Sequence, residues 1–182
     1  PLGFRTLLPL TGKDRNRLIA FGREHGAEIW QQPGGPDTAR LLCDAEGRTD
    51  GTSALAYELP EFGIRIPFGP TDFTQVNAGI NRQLLSRAVQ MLDPRPEHRV
   101  VDLFCGLGNF TLPLSRHFRQ VLATEVSKTS VQAAQWNIEA NARPNVRIAR
   151  LSAEEYTQAM QGERSFRRLR EQEISLAEHD FS

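Results

Sequence analysis

The stretch RVVDLFCGLGNF, from Arg99 to Phe110, decides the fold of this chain. It opens with a short apolar run that contains Asp102, and it continues into the glycine-rich segment Cys105–Asn109. The apolar residues that follow, Phe110 to Leu114, indicate the start of a helix. A strand, a tight glycine turn and a helix N-terminus in this order are typical of the cofactor corner of an α/β domain. The glycines let the backbone approach a ligand, and the helix start offers free N–H groups.

The composition argues against several classes of protein. The 182 residues include 22 Lys or Arg and 22 Asp or Glu, so the formal net charge is zero. This balance gives no support for a wholly basic nucleic-acid binder, although it leaves room for a local basic patch. No apolar segment approaches the ~18 residues of a membrane span, so no membrane contact is expected. The two cysteines, Cys43 and Cys105, predict reduced thiols in a cytoplasmic protein rather than a disulfide framework or a metal site.

Patterns along the chain predict two units. Residues 1–66 combine a helix, capped by Thr11–Asp14, with short strands, and they predict part of an α+β domain with antiparallel character. Residues 67–182 begin with a turn and an amphipathic helix that ends before Asp93. They then alternate strand and helix, which predicts an α/β fold with a parallel sheet and right-handed crossovers. The predicted elements of this alternation are a strand in the apolar run Val100–Phe104, the strand Gln120–Thr124, the helix Ser127–Asn141 and the strand Asn145–Leu151.

The predicted sheet is incomplete, because three or four strands are counted where a doubly wound domain usually has five or more. A sheet of this kind leaves a strand edge and apolar faces uncovered. We therefore expect this chain to self-associate, to exchange segments or to be only marginally stable. The polar segment 157–182 interleaves Arg with Glu, which favours a solvated helix face over an RNA-binding arm.

An acidic residue follows the second predicted strand. Glu125 lies about twenty residues beyond the glycine turn, which is the spacing of a carboxylate that accepts hydrogen bonds from ribose hydroxyls. The turn and Glu125 together predict an adenosine-containing cofactor. The turn Gly106–Thr111 lacks the third glycine of the dinucleotide motif, which disfavours NAD but does not by itself select S-adenosylmethionine. A solvent-facing strand-end acid remains the alternative interpretation of Glu125, and a nucleotide-dependent oxidoreductase remains an alternative function.

Several longer motifs resemble one enzyme family. FTQVNAGINRQLL (Phe73–Leu85), DLFCGLGNFTLPL (Asp102–Leu114), Glu125 and IWQQPGGPDTARL (Ile29–Leu41) are similar to the S-adenosylmethionine-dependent RNA uracil-C5 methyltransferases. The bacterial 23S rRNA (uracil-5-)-methyltransferase branch is the more similar, with the tRNA uracil-54 branch as its near relative. The resemblance implies an incomplete Rossmann-like methyltransferase domain preceded by part of a central α+β domain, with RNA as the substrate of the full-length protein.

The resemblance also implies roles for individual residues in binding S-adenosylmethionine. Gln75 would hold the methionine end, and Glu125 would bind the ribose hydroxyls. Phe104 and Asn109 would line the pocket, while Gly106 and Gly108 would allow close backbone approach. The residue aligned with the family's adenine-contacting Asn or Asp is Ser152. By the same resemblance, Cys105 is a wall of the pocket and not the nucleophile.

Other parts of the family pattern do not occur in this sequence. Uracil-C5 methylation needs a thiolate that adds to C6 of the base and a general base that later removes the C5 proton. The family's S-C-N-P cysteine, its C-terminal Glu, its RNA-binding barrel and its iron–sulfur cysteines are absent from the printed sequence. We therefore expect a fragment that holds most of the cofactor pocket, with its catalytic Cys and Glu encoded beyond Ser182. Any iron–sulfur cluster would belong to the full-length protein. A non-catalytic RNA-binding or assembly module is the competing interpretation.

Overall fold

The computed structural model describes residues 2–6, 8–171, 174 and 176. Contacts divide the chain into two compact units, residues 1–56 with 67–73 and residues 57–66 with 74–182. The sequence predicts a boundary after residue 66, whereas the contacts group residues 57–66 with the second unit. The reason is that Tyr57 and Arg65 form hydrogen bonds with residues of that unit.

The first unit is built around one helix and a three-stranded sheet. Its elements are β1 (Leu2–Arg5), α1 (Gly12–His25), β2 (Ile29–Gln32) and β3 (Arg40–Cys43). Helix α1 starts at a capping box, in which Thr11 and Asp14 satisfy each other's backbone N–H groups, as the sequence predicts. The core of this unit contains Ile29, Leu42 and Cys43, against which Leu18 and Ile19 of the helix pack.

The strand directions in the first unit correct one expectation. Strands β2 and β3 are antiparallel, as predicted, but β1 and β2 are parallel. Helix α1 lies between β1 and β2 in the chain and carries it back to the same end of the sheet, which a short hairpin would not do. The sequence analysis did not predict β1, whose four residues are all exposed.

The second unit is larger and has a parallel sheet. Two short strands, β4 (Ala56–Leu59) and β5 (Ile64–Pro67), pair with each other and precede α2 (Ala78–Leu92). The elements that follow are β6 (Arg99–Leu103), α3 (Thr111–Leu114), β7 (Gln120–Thr124), α4 (Lys128–Ala140), β8 (Val146–Ala149), α5 (Ala153–Met160) and α6 (Arg167–Glu171).

The sheet of the second unit runs in the order β6-β7-β8, and both strand pairs are parallel. Val100, Val121 and Val146 lie side by side in its register. The alternation of strand and helix therefore gives the predicted parallel sheet. Because parallel strands end at the same edge, the segments after β6, β7 and β8 are neighbours, and the candidate site residues other than Gln75 lie in these segments.

The last described helices pack more closely than the charge pattern predicts. Phe166 and Leu169 are buried in a core cluster with Leu122 and Leu151. Arg167 and Arg170 are exposed, so the helix has one solvated face and one packed face. The remaining part of the predicted polar segment, residues 172–173, 175 and 177–182, lies outside the described residues.

Candidate functional site

The glycine turn after β6 has three residues in the left-handed region. Phe104 has φ of 63°, Gly106 of 55° and Gly108 of 95°. Glycine adopts this conformation freely, whereas a bulky residue such as Phe104 is strained in it. Strain of this kind persists only where the surrounding structure imposes it. Phe104 is 65% exposed, so its ring lies at the protein surface beside the turn.

There is free space beside this turn. A Cβ atom added at Gly106 would meet no atom within 4 Å, in contrast to Gly108, whose Cβ would contact Leu112 at 3.5 Å. The helix that follows, α3, has only four residues, shorter than the apolar pattern indicates. The open side of the turn is therefore at Gly106, next to Phe104.

Glu125 holds the turn from the side of β7. Its Oε2 accepts a hydrogen bond from the Gly106 N–H at 3.2 Å, and its Oε1 accepts from Val126 N–H at 2.7 Å and Ser127 N–H at 2.9 Å. The Cys105 N–H donates to the Thr124 carbonyl at 2.9 Å, which extends the contact. A carboxylate offers about four acceptor positions, so these three donors fix its orientation and leave capacity for another donor.

Asn109 holds the turn from the side of α2 and the β4–β5 pair. Its Oδ1 accepts from the Tyr57 hydroxyl and from Asn81 Nδ2, both at 2.9 Å, and its Nδ2 donates to Asn81 Oδ1 at 2.9 Å. Asn81 is buried, and burial raises the pKa of Tyr57, so its hydroxyl stays a donor. The sequence analysis assigned Asn109 to the site but missed Tyr57 and Asn81.

A third polar side chain reaches the turn from α4. Asn137 is fully buried, and its Nδ2 donates to the Leu107 carbonyl at 3.0 Å. The sequence analysis missed this residue too. Its signal is a polar amide at an inward-facing position of an otherwise apolar helix face. The turn is therefore held by side chains from three directions.

The chemistry of Cys105 differs from that of a nucleophile. The side chain is buried, and this burial, together with the nearby Asp102 and Glu125 carboxylates, raises the pKa of its thiol. The reactive form of cysteine is the thiolate, so a thiol held protonated is unsuited to attack. This agrees with the interpretation of Cys105 as a wall residue. The other cysteine, Cys43, is also buried and free, and burial raises its pKa as well.

Asp102 is a further acidic group near the turn. It accepts a hydrogen bond from the Thr111 hydroxyl, which connects the end of β6 to α3. Burial raises the pKa of Asp102, and the bond from Thr111 opposes this effect.

Two predicted site residues are placed differently from the others. Ser152 is the N-cap of α5: its hydroxyl accepts from Glu155 N–H at 3.0 Å, and Glu155 in turn accepts from Ser152 N–H at 3.0 Å. Gln75 lies in the exposed segment before α2. Among the described residues, no hydrogen bond links Gln75 or Ser152 to the turn. Phe104, Gly106, Gly108, Asn109 and Glu125 are brought together, and the binding roles of all seven residues remain predictions.

The described part of the chain contains neither a metal-binding cluster nor a membrane-spanning helix. No cluster of three or more His, Cys, Asp or Glu side chains there is arranged to hold a metal ion. None of the helices in the same residues has the length and apolarity needed to cross a bilayer.

Comparison with known proteins places the sequence among methyltransferases. The model of the tRNA (Uracil-5-)-methyltransferase family matches residues 64–182. Among curated relatives, the 23S rRNA (uracil(1939)-C(5))-methyltransferase RlmD of Aromatoleum aromaticum is 51% identical over 140 residues, which is 77% of this chain and 31% of the relative. The enzyme of the same name from Acidovorax sp. is 49% identical over 140 residues and covers 77% of this chain and 28% of the relative.

One solved structure supports the fold of this chain. The Pyrococcus abyssi tRNA (uracil-54, C5)-methyltransferase, in complex with S-adenosyl-L-homocysteine, matches with a TM-score of 0.51 and 16% identity. The match covers 67% of this chain and 30% of that one. At this identity the likeness concerns the fold alone. The chain spans about a third of the length of the curated relatives it matches.

Proposed function

Because the chain belongs to the tRNA (uracil-5-)-methyltransferase family, we propose that it is part of an enzyme that methylates C5 of a uridine in RNA. The proposed cofactor is S-adenosylmethionine, whose sulfonium centre supplies an activated methyl group when bound. The single observation that carries the cofactor proposal is the Gly106–Glu125 contact, in which an oriented carboxylate lies beside an open glycine turn.

The residues around the turn fit the parts of this cofactor. Glu125 retains acceptor capacity for the ribose hydroxyls, and the open space at Gly106 admits a ligand close to the backbone. The exposed ring of Phe104 offers an apolar face at the same place. We assign Gln75 to the methionine end and Ser152 to the adenine end, as the resemblance implies. Glu125 and the turn thus bind and orient the donor, while the uridine reacts at groups outside these residues.

The proposed substrate of the full-length enzyme is 23S rRNA. The curated relatives at about half identity are named for that substrate, which favours it over tRNA. The tRNA substrate is the alternative, since the matching family model and the Pyrococcus abyssi enzyme are named for it. A cytoplasmic location follows from either RNA substrate and forms part of this proposal.

We infer that this chain alone transfers no methyl group. Its two cysteines are both buried with raised thiol pKa values, so neither supplies the thiolate that must add to C6 of uracil. The catalytic cysteine and general base of the full-length enzyme would come from sequence other than these residues, and so would an iron–sulfur cluster.

Calorimetric titration with S-adenosylhomocysteine tests the cofactor proposal. We expect saturable binding to the chain and at least a tenfold weaker affinity for Glu125→Ala, since hydrogen bonds to a charged group contribute about 1.5–3 kcal/mol. Absence of binding, or equal affinity of the two proteins, would contradict the proposal. A labelled-methyl assay with 23S rRNA should show no transfer, and transfer by this chain would overturn the inference of inactivity.

The free edge of the sheet supports the expectation of self-association. Among the described residues, β6 pairs with a strand on one side only. Along it lies a groove of about 760 Å³ that Leu92, Val101, Leu103 and Tyr156 help to line. We infer that a second copy of the chain covers this edge, since exposed edges of parallel sheets invite further pairing. Light scattering over a dilution series would detect the dimer, and a monomer at every concentration would contradict the inference.

A further inference from the structure

We propose that Tyr57 and Asn81 are positioning residues for cofactor binding, and that they act by fixing the Asn109 side chain and, with it, the glycine turn. This inference rests on the proposed function, because it assumes that the turn binds the cofactor. A Cβ atom added at Gly106 would meet no atom of either residue within 4 Å. Their effect on a ligand must therefore pass through Asn109.

The amide groups of Asn81 and Asn109 form a pair of fixed geometry. Asn81 and Asn109 exchange two hydrogen bonds, each of 2.9 Å, so both amide groups are held in one orientation. The Tyr57 hydroxyl adds a third bond at 2.9 Å to the same Oδ1 of Asn109. With both lone pairs of Oδ1 and one N–H of Asn109 engaged, a rotation of this side chain would break three bonds at once.

The position of Asn109 in the chain connects this amide pair to the glycine turn. It directly follows Gly108, the last of the three left-handed residues of the turn. The Gly108 N–H bonds to the Cys105 carbonyl at 2.9 Å, so the segment Cys105–Asn109 is a single closed loop. Glu125 holds this loop at Gly106, and Asn109 holds its other end. The contacts at Gly106 and at Asn109 together therefore fix the orientation of the turn relative to Glu125.

The hydrogen-bonding partners of Asn109 are shielded from water. Asn81 is only 4% exposed, and Tyr57 is largely buried with a raised pKa. Bonds between buried polar groups are costly to break, because the released groups find no water. The connection from α2 and the β4–β5 pair to the turn is therefore rigid enough to affect ligand affinity.

Two substitutions test the inference. Tyr57→Phe removes one donor and keeps the ring, and we expect S-adenosylhomocysteine to bind about fivefold more weakly. Asn81→Asp keeps the side-chain shape but, when ionised, places a second acceptor opposite Asn109 Oδ1. We expect its affinity to fall by at least about tenfold near pH 8 and to recover near about pH 5, where the buried carboxyl is protonated and donates again.

A matched control separates positioning from general stability. Asn141, which directly follows α4, contacts β5: its Nδ2 donates to the Arg65 carbonyl at 2.8 Å, and its Oδ1 accepts from Arg65 N–H at 3.1 Å. Asn141→Asp should lower the melting temperature without changing the affinity of the folded protein. The pH profiles of Asn81→Asp and Asn141→Asp are each compared with that of the parent protein. All three proteins carry the same other titratable groups near the Asn81–Asn109 pair. Those groups are Tyr57, the Glu61–Arg82 ion pair, Asp102 and Glu125.

The outcomes are distinct. If the parent binds no S-adenosylhomocysteine, the proposed function fails and this inference fails with it. If the parent binds and both Tyr57→Phe and Asn81→Asp bind equally well, only this inference is overturned. Equal weakening by Asn141→Asp, or a weakened Asn81→Asp without recovery at low pH, indicates a purely structural role and also overturns it. If Asn81→Asp does not fold, the affinity of Tyr57→Phe relative to Asn141→Asp decides.

Discussion

Two carboxylates, Glu28 in the first unit and Glu125 in the second, do similar work in different surroundings. Glu28 is 7% exposed and accepts hydrogen bonds from Ala54 N–H, from the Ser53 hydroxyl and from Trp30 Nε1, so it ties a long loop to β2. Glu125 also accepts three hydrogen bonds, all from backbone N–H groups, but it remains half-exposed beside the open face of Gly106.

The difference distinguishes a structural carboxylate, Glu28, from the carboxylate that we propose to bind the cofactor, Glu125. Glu28 is itself buried, and its hydrogen bonds join the loop that contains Ser53 and Ala54 to the start of β2. The partners of Glu125 hold the carboxylate at the surface, in an orientation from which it can accept further donors. Three hydrogen bonds to a carboxylate therefore support stability at buried Glu28. At the more exposed Glu125, we propose that the same number of bonds prepares the carboxylate for recognition.

The largest expected effect is on the stability of the first unit. Glu28→Ala leaves three donors without their acceptor, and we expect the free energy of unfolding to fall by about 3 kcal/mol. Urea denaturation followed by the fluorescence of Trp30, with Trp136 replaced by Phe, would measure it. The affinity for S-adenosylhomocysteine should stay unchanged. A loss of affinity without a loss of stability would contradict a purely structural role of Glu28.

A smaller effect is expected for Glu125→Gln. The amide keeps one oxygen for the Val126 and Ser127 N–H groups, but its NH₂ group then faces the Gly106 N–H, and two donors oppose each other. We expect a loss of about 1 kcal/mol in stability and an affinity between those of the parent and Glu125→Ala. Paired denaturation and calorimetry would show both. A stability loss as large as that of Glu28→Ala would make Glu125 a structural residue.

Ser152, which follows β8, allows helix capping to be separated from cofactor binding. Ser152→Ala removes the cap of α5, and we expect the free energy of unfolding to fall by about 1 kcal/mol, which is typical for the loss of an N-cap. If its hydroxyl also donates to adenine, binding weakens severalfold in Ser152→Ala. Ser152→Thr, which keeps a capping hydroxyl, is the matched control. Unchanged affinity in Ser152→Ala would remove this residue from the predicted cofactor site and leave it as a cap.

The smallest effect concerns Asp102, a carboxyl whose pKa is raised by burial. A raised folded-state pKa means that folding favours the protonated form. Its contribution to stability is therefore full below the pKa of the unfolded chain and is lost as pH rises through the folded-state value. Asp102→Asn should remove this dependence, so its melting temperature should exceed that of the parent at neutral pH and converge with it in acid. A difference that does not change with pH would contradict this.

Local signals in the sequence were sufficient for much of the second unit. The strand Gln120–Thr124 has the predicted bounds because five consecutive residues suit a buried strand, and α4 begins after Ser127 because a serine before an apolar pattern caps a helix. Glu125 was predicted beside the turn because strand length and crossover fix its place. Strand β1 was not predicted, since its four exposed residues become a strand only by pairing with β2.

The polar network around the turn could not be predicted in the same way. Tyr57 and Asn81 reach Asn109 across 52 and 28 residues, and a buried amide leaves no periodic pattern in a sequence. The division of the chain shares this cause, because the contacts of Tyr57 and Arg65 with the second unit depend on long-range side-chain bonds.

These sequence separations also have a kinetic consequence for the amide pair and Tyr57. Closing loops of 52 and 28 residues is entropically slow, and buried side-chain bonds need their surroundings already packed. The turn should then acquire its final shape after the folding transition state has been crossed. Tyr57→Phe would leave the refolding rate nearly unchanged and accelerate unfolding. This is the behaviour of a contact that forms after the transition state and whose folding φ-value (the ratio of kinetic to equilibrium destabilisation) is near zero. The turn, which is the proposed cofactor site, would be the last part of this unit to form and the first to open.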